Sequence, residues 1–211
     1  MSLVSDSMAI EEKKEIRSRI LKLRNSINTN DIKSNSDLIQ AKLWQLIESH
    51  GFKSIMFYIA FGSEVQTQIC ISKALDKELN IIVPICIKTK NEQRSVRNIL
   101  PSRLLDPQSE LAEGTFGVLE PKTEFRRPFS PEEIDLVVVP GVAFDERCYR
   151  IGYGAGYYDR FLPRCTKALF VALAYEIQIV TDVFPESWDV PVNCIITEKS
   201  MITIDHILYG R

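Results

Sequence analysis

The run Ile134–Val139 constrains the fold more than any other segment, because it is apolar at every position except Asp135 and leads into a glycine-rich stretch. A short apolar run without alternation is typical of a strand buried on both faces of a sheet. Other strand-like runs alternate with helical segments, since SIMFYIAF precedes a helical stretch near Gln66–Leu79 and IIVPICI follows it. This alternation predicts an α/β domain of three layers around a mostly parallel, open sheet.

Two amphipathic stretches precede the first strand and predict two N-terminal helices. The first lies between Ala9 and Asn28, and the second ends at Gly51. We expect residues 1–8 to form a disordered extension, with Met8 as an alternative start, and residues 9–211 to form a single domain. The apolar residues at helical spacing are Ile16, Ile20, Leu23 and Ile27 in the first stretch, and Ile39, Leu43, Leu46 and Ile47 in the second.

Residues 88–133 are rich in proline and glycine, which predicts an irregular, partly mobile region with SVRNIL as a strand. After the glycine-rich stretch, a helix is predicted from Tyr157 to just before Pro163. A strand is predicted over Ala168–Ala174, and short strands over Cys194–Thr197 and Ile202–Ile204.

Composition excludes several classes of protein. The formal net charge of −2 gives no global electrostatic footprint for nucleic acid. Five cysteines form no CxxC pair and two histidines are present, so neither a zinc site nor a disulfide framework is expected. The N-terminus lacks a signal-peptide core, and no apolar run reaches the length that spans a bilayer. We therefore expect a cytoplasmic monomer that binds neither nucleic acid nor membrane.

The strongest chemical signal is the segment VVVPGVAFDERCYRIGYGAGYYDRFL, from Val137 to Leu162. Glycines after a buried strand let the backbone approach an anion, and the helix that follows adds a favourable dipole. Arg150 precedes the glycines as a phosphate-binding side chain, and Asp159 follows them as a magnesium ligand. The alternative is that the glycines only make tight turns. A P-loop is absent, and Tyr157 stands where a dinucleotide fingerprint needs glycine.

The first helix carries a cationic row that can face the same site. Lys13, Arg17 and Arg24 fall within roughly 40° of one another on a helical wheel and border the apolar stripe. Such a row can neutralise a polyphosphate in a cleft, or it can be a solvated face whose aliphatic stems cover the apolar stripe.

Other candidate residues have ordinary alternatives. Glu64, just past a strand, is suited to bind N–H groups of a polar heterocycle, although such a carboxylate can also cap a helix. Asp189 is either a second carboxylate near a metal or a turn residue. Three tyrosines either stack on a ring or fill the core, namely Tyr153, Tyr157 and Tyr158.

Together these segments resemble the 5-formyltetrahydrofolate cyclo-ligase family, also called 5,10-methenyltetrahydrofolate synthetases. The block PGVAFD followed by RIGYGAGYYDRFL is specific to that family, and the resemblance covers most of the chain. Its fold is expected to be Rossmann-like. The matching positions are Lys13, Arg17, Arg24, Tyr58, Glu64, Val65, Thr67, Val83, Pro84, residues 117–121 and 134–162, Gln178, Pro185, Asp189 and Val190.

The resemblance implies ATP- and Mg²⁺-dependent conversion of 5-formyltetrahydrofolate, with or without a polyglutamate tail, to 5,10-methenyltetrahydrofolate, releasing ADP and phosphate. It also implies the role of each site residue. ATP would be bound by Lys13, Arg17, Arg150, Gly152, Tyr153, Gly154, Ala155, Gly156 and Tyr158. The folate would contact Glu64, Tyr153 and Tyr157, with Arg150 and Tyr157 as catalytic residues, and magnesium would bind Asp159 and Asp189.

Two positions depart from the family pattern. Trp188 stands where histidine is usual, and Asn193 stands where an acidic residue is common. These departures motivate a rival hypothesis, a folate-binding or regulatory protein without turnover. A second rival is another phosphometabolite enzyme, such as a sugar-phosphate isomerase or coenzyme A transferase, which the lack of a clear catalytic base or nucleophile disfavours.

Overall fold

The computed structural model describes residues 2–91, 94–114 and 117–204. The helices are α1 (Ser2–Asn25), α2 (Thr29–His50), α3 (Gln68–Asp76), α4 (Pro107–Glu110) and α5 (Tyr157–Phe161). The first six strands are β1 (Ser54–Met56), β2 (Asn80–Asn91), β3 (Arg94–Leu104), β4 (Leu111–Glu113), β5 (Leu119–Pro121) and β6 (Leu136–Val139). The remaining strands are β7 (Ala143–Phe144), β8 (Arg150–Ile151), β9 (Leu169–Leu173), β10 (Cys194–Ile196) and β11 (Met201–Thr203).

The two N-terminal helices form as predicted, and both ends of α2 are capped. The Asn28 side chain accepts a hydrogen bond from the Asp31 N–H at 2.9 Å, which satisfies a donor of the first turn. Gly51 ends the helix in the left-handed conformation with a φ of 65°. The predicted apolar face of α2 is buried: Ile39, Leu43, Leu46 and Ile47.

The buried face of α1 differs from the prediction. Ile16 and Ile20 are buried, but Leu23 is 45% exposed and Arg24 is only 3% exposed. Arg24 takes the inner position because loops from three parts of the chain accept hydrogen bonds from its guanidinium. The helix also begins at Ser2, earlier than predicted, since residues 2–8 contain no glycine or proline. The boundary of the domain at residue 9 stays a prediction.

The main sheet has seven strands in the order β11-β10-β9-β6-β1-β2-β3. The five inner strands run parallel, and β11 and β3 are antiparallel at the two edges. From β1 the chain passes through α3 to β2 at one side, whereas from β6 it continues to β9 at the other side. Ligands of open α/β sheets bind where neighbouring strands diverge in this way, outside their carboxyl ends. The switch point here lies between β1 and β6.

Both faces of the sheet are covered, which gives three layers. Val138 packs in one apolar cluster with Leu43 of α2 and Ile71 of α3. Val137 packs on the opposite face, in a cluster with Phe161 of α5. The predicted three-layer, mostly parallel, Rossmann-like architecture is therefore confirmed. Within the described ranges, no helix is long and apolar enough to cross a membrane.

The strand predicted at SVRNIL is confirmed within β3, but the prediction of an irregular region was wrong for residues 88–91 and 101–104, which also belong to strands. Strands β2 and β3 pair antiparallel along their whole length, with Pro84 opposite Pro101. Two prolines can face each other only in a pair without mutual hydrogen bonds, because neither has an N–H. Pro101 lies in an edge strand, and β1 pairs with β2 no further than Ile82, so neither proline interrupts a ladder on its other side.

Candidate functional site

The candidate site lies at the switch point, where the loops after β1 and β6 meet the side of α1. The loop after β1 carries Glu64, and the loop after β6 begins with Gly141. The antiparallel pair β7–β8 then brings Arg150 and the glycine loop, residues 152–156, back to the same edge. The structure thus brings together segments that are far apart in the sequence.

One half of the site is the Glu64 cluster, defined as Arg24, Ser63, Glu64, Gly141 and Tyr153. The Tyr153 hydroxyl donates to Glu64 Oε1 at 2.9 Å. Arg24 donates to the Tyr153 oxygen at 2.6 Å, to Ser63 Oγ at 3.1 Å and to the Gly141 carbonyl at 3.3 Å. The carboxylate is therefore held in a defined orientation by residues from several loops.

The environment of Glu64 changes its acidity in two opposing ways. Its side chain is nearly enclosed, with 8% of the residue exposed. Burial raises the pKa of Glu64, whereas the Phe61 N–H, the charge of Arg24 and the Tyr153 hydroxyl each lower it. The net pKa lies above the ordinary value of 4.5. An ionised carboxylate in such a place is suited to accept hydrogen bonds from N–H groups of a bound heterocycle.

The other half is the Arg150 cluster, defined as Lys13, Arg150, Asp159, Glu186 and Asp189. Arg150 is buried and donates to Asp159 Oδ1 at 2.7 Å and to the Val190 carbonyl at 2.6 Å. Lys13 donates to Asp189 Oδ2 at 2.7 Å and to Glu186 Oε2 at 2.9 Å. The cluster joins α1, α5 and the loop before β10.

Lys13 and Asp189, predicted for phosphate and metal respectively, form an ion pair with each other. Burial alone would lower the pKa of Lys13, but its hydrogen bonds to Asp189 and Glu186 outweigh burial and raise the pKa. Lys13 therefore stays protonated. Glu186 was missed by the sequence reasoning, although it lies three residues before Asp189, at the spacing of a turn, and its N–H donates to Asp189 Oδ2.

The glycine loop lies between the two clusters. Arg17 Nε donates to the Gly152 carbonyl at 2.8 Å, and burial lowers the pKa of Arg17 without removing its charge. Gly154 and Gly156 have φ values of 94° and 64°, which side chains rarely adopt. Ala155, between these two glycines, keeps its φ outside that region.

Arg160 was also missed, and it fixes the far side of the glycine loop. Its guanidinium donates to the Ala155 carbonyl at 2.5 Å and to the Arg97 carbonyl of β3 at 2.7 Å. The sequence signal for this contact was the spacing, because Arg160 follows Gly156 by four residues, about one turn of the predicted helix. The loop is thus tied to the β2–β3 hairpin on one side and to α1 on the other.

Replacing Gly156 by alanine is expected to destabilise the protein by about 1–2 kcal/mol, because a left-handed φ is unfavourable for alanine. A Cβ there would also lie 2.8 Å from Arg160 Nη1. Thermal unfolding followed by circular dichroism should show a Tm about 2–8 °C lower.

Gly152→Ala is the matched control for this prediction. A Cβ at Gly152 meets no atom within 4 Å, and its φ is not left-handed. Its Tm should therefore stay near that of the unaltered protein. Equal Tm values for the two variants would show that the left-handed backbone at residue 156 does not require glycine.

The three tyrosines occupy different places. Tyr153 is in the Glu64 cluster, with its hydroxyl bonded and its ring partly exposed. Tyr157 and Tyr158 pack against the cluster of Phe161 on the α5 side of the sheet. The Tyr158 hydroxyl is buried and, within the described residues, has no hydrogen-bond partner. Whether Tyr157 and Tyr158 contact the substrates stays a prediction.

Asp159 and Asp189, the residues predicted to bind magnesium, both belong to the Arg150 cluster. Asp159 uses Oδ1 for Arg150, and Asp189 uses Oδ2 for Lys13, so within the described residues each carboxylate keeps one oxygen without a hydrogen bond. Residues 2–91, 94–114 and 117–204 contain no group of three or more His, Cys, Asp or Glu that could hold a metal. Mg²⁺ commonly binds one or two carboxylates together with phosphates and water, so these residues suit it.

The two departures from the family pattern leave the clusters intact. Asn193 accepts a hydrogen bond from the Phe170 N–H at 2.8 Å and joins the ends of β9 and β10, so its role in this chain is structural. Trp188 is 65% exposed, while Asp189 beside it remains bound to Lys13. Gln178, a matching position, donates to the carbonyls of Gly141 and Val142 and supports the loop after β6.

The cysteines do not supply a nucleophile within the described residues. Burial raises the pKa of Cys86, the least buried of them, to about 11, and the pKa of Cys148 to about 11. A thiol with such a pKa is almost fully protonated near neutral pH. The described cysteines are therefore not candidates for a nucleophile in this site.

Comparison with known proteins gives one consistent family. The model of the 5-formyltetrahydrofolate cyclo-ligase family matches residues 9–198. A 5-formyltetrahydrofolate cyclo-ligase of Haemophilus influenzae is 29% identical over 187 residues, covering 87% of this chain and 96% of that protein. One from Escherichia coli is 30% identical over 150 residues, covering 70% and 79%. The NMR structure of Aquifex aeolicus 5,10-methenyltetrahydrofolate synthetase has a TM-score of 0.76 and 33% identity, covering 94% of both chains.

Proposed function

Because the chain belongs to the 5-formyltetrahydrofolate cyclo-ligase family, we propose that it converts 5-formyltetrahydrofolate to 5,10-methenyltetrahydrofolate with ATP and Mg²⁺. The family assignment makes it an enzyme, a ligase that closes a carbon–nitrogen bond. The observation that carries the finer proposal is the meeting of two clusters at one switch point: the Glu64 cluster offers an acceptor, and the Arg150 cluster offers both cations for phosphates and carboxylates for a metal. The Glu64 cluster suits the pterin, and the Arg150 cluster with Arg17 suits a polyphosphate.

The reaction divides between the two halves of the site. The formyl oxygen attacks the γ-phosphorus of ATP, and ADP leaves with the electrons of the broken P–O bond. N10 of the folate then attacks the activated carbon, loses its proton, and the phosphate leaves with the former formyl oxygen. Such phosphoryl transfer depends on alignment and stabilisation of charge, so it needs no protein nucleophile.

Each cluster has a defined part in this proposal. Glu64 accepts hydrogen bonds from the N–H groups of the pterin and sets the position of the formyl group. Lys13, Arg17 and the loop from Gly152 to Tyr158 hold the phosphates, and Arg150 stabilises the charge that develops on them. A magnesium ion held by Asp159 and Asp189 would neutralise the phosphate oxygens. We also expect the chain to act as a monomer in the cytoplasm.

The direct test is the growth of methenyl-product absorbance from 5-formyltetrahydrofolate with ATP and Mg²⁺. Product is expected only when both are present, together with one ADP per turnover. No product at high enzyme concentration would overturn the proposal. Tight binding of 5-formyltetrahydrofolate without ATP hydrolysis would favour a binding protein instead.

A further inference from the structure

Arg24 is the most enclosed cation of the site, and it connects three loops. It extends from α1 with 3% of its surface exposed. Its acceptors lie in the loop after β1 (Ser63), the loop after β6 (Gly141) and the glycine loop (Tyr153). The guanidinium also lies over the Tyr153 ring, with its central carbon 5.8 Å from the ring centroid. This side chain therefore links three elements that surround Glu64.

Chemistry fixes the direction of the hydrogen bonds that pass through Tyr153. A guanidinium donates and does not accept, so the Tyr153 oxygen must accept from Arg24. The hydroxyl hydrogen is then left for Glu64 Oε1, and the Phe61 N–H donates to Glu64 Oε2 at 3.0 Å. Both carboxylate oxygens thus face donors. A proton on either oxygen would oppose one of them, so the arrangement favours the ionised form.

The charge of Arg24 is distinctive among the titratable groups that face Glu64. Four of those groups are tyrosines, which are neutral near neutral pH. Burial raises the pKa of all four tyrosines, so none of them carries a charge. Among the described residues, Arg24 is the fifth group that faces Glu64, and its guanidinium is positively charged. The tyrosines are Tyr58 after β1, Tyr153 in the glycine loop, Tyr158 in α5 and Tyr175 after β9.

We infer that Arg24 is a positioning residue, which holds the Tyr153 hydroxyl as a donor to Glu64 and so keeps the Glu64 carboxylate ionised and oriented for substrate. The inference rests on the proposed function, because it assigns that carboxylate to the N–H groups of the pterin. Arg24 does not touch the substrate in this scheme. Its effect on the reaction passes through Tyr153 and Glu64, and it should therefore be visible in the pH dependence.

The test compares Arg24→Gln and Tyr153→Phe with Arg19→Gln, whose side chain is exposed on the same helix. In both site variants, the acid limb of kcat/KM for 5-formyltetrahydrofolate should move to higher pH by about one unit. Arg19→Gln should leave the limb in place. Tyr153→Phe removes one hydroxyl and leaves two acceptors of Arg24. If Arg24→Gln fails to fold, Tyr153→Phe still tests whether the hydroxyl that Arg24 holds keeps Glu64 ionised, and an unmoved limb in it overturns the inference.

A second readout does not depend on turnover. The Glu64 carboxyl signal, identified by its loss in Glu64→Gln, is titrated by NMR in each variant, and its pKa should rise by about one unit in Arg24→Gln or Tyr153→Phe. An unmoved pKa and acid limb in a folded site variant would overturn the role of Arg24. An inactive unaltered protein would overturn the proposed function, while the titration would still decide whether Arg24 controls Glu64.

Discussion

Replacing Glu64 by glutamine is expected to lower kcat/KM for 5-formyltetrahydrofolate about a hundredfold and to leave the KM for ATP nearly unchanged. The shape of the side chain is kept, but the amide brings its own donor to a place where Tyr153 or the Phe61 N–H already donates. Losing two charge-assisted hydrogen bonds to a bound heterocycle costs about 3 kcal/mol, which corresponds to that factor. Steady-state kinetics with each substrate varied in turn measures both constants.

The pH profile gives a sharper form of the same prediction. Because burial raises the pKa of Glu64, the acid limb of kcat/KM should lie above pH 4.5, the ordinary value of the group. Below that pKa the carboxyl is protonated and binding is lost; above it, activity is full. Glu64→Gln should lose this limb. Glu11→Gln, at an exposed position of α1, is the control and should keep it. If Glu64→Gln kept its kcat/KM for 5-formyltetrahydrofolate, Glu64 would have no part in binding the substrate.

The parts of the site that are continuous in the sequence were predictable from it. The strand Leu136–Val139, the glycine loop and α5 follow one another, and their residue types indicate the local conformation that the structure has. The affinity of the loop for an anion stays a prediction. The place of Glu64 was predictable as well, because it follows a strand whose carboxyl end faces the switch point. Its role in binding the substrate stays a prediction. Local rules were sufficient for these residues.

The contacts between distant segments were not predictable in this way. Lys13 and Asp189 are 176 positions apart, and no local pattern indicates that one neutralises the other. The burial of Arg24 in place of Leu23 on the inner face of α1 was missed for the same reason, because the acceptors of Arg24 come from three distant loops. Helical periodicity counts apolar residues and gives no weight to a cation whose partners lie elsewhere.

Arg150 joins two elements of the site and is also the residue proposed to stabilise charge on the phosphates. Its two terminal nitrogens bind different elements, Asp159 of α5 and the carbonyl of Val190 next to Asp189. Arg150 therefore joins the Asp159 carboxylate to the backbone of the residue that follows Asp189. A change that keeps the charge but alters the geometry of its donors should separate the two roles.

Replacing Arg150 by lysine is expected to lower kcat/KM for ATP about a hundredfold and to lower the Tm by about 4–10 °C. One ammonium nitrogen does not reproduce the fork that reaches Asp159 and Val190 together. The acceptor left without its donor, in Asp159 or Val190, is only partly exposed, so the lost charged hydrogen bond costs about 1.5–3 kcal/mol of stability. Kinetics with ATP varied and thermal unfolding measure the two effects.

Arg164→Lys is the control that separates the geometry of the donors from the mere exchange of arginine for lysine. Arg164 binds the Asn98 side chain and the Ile99 carbonyl through the same nitrogen, Nη1, at 3.2 and 3.3 Å. A lysine nitrogen can occupy that single position, so the Tm and the kinetic constants of Arg164→Lys should change little. If Arg150→Lys also kept its kcat/KM for ATP, Arg150 would have no part in binding the phosphates. A normal Tm in Arg150→Lys would show, in addition, that Asp159 and Val190 are held in place by other contacts.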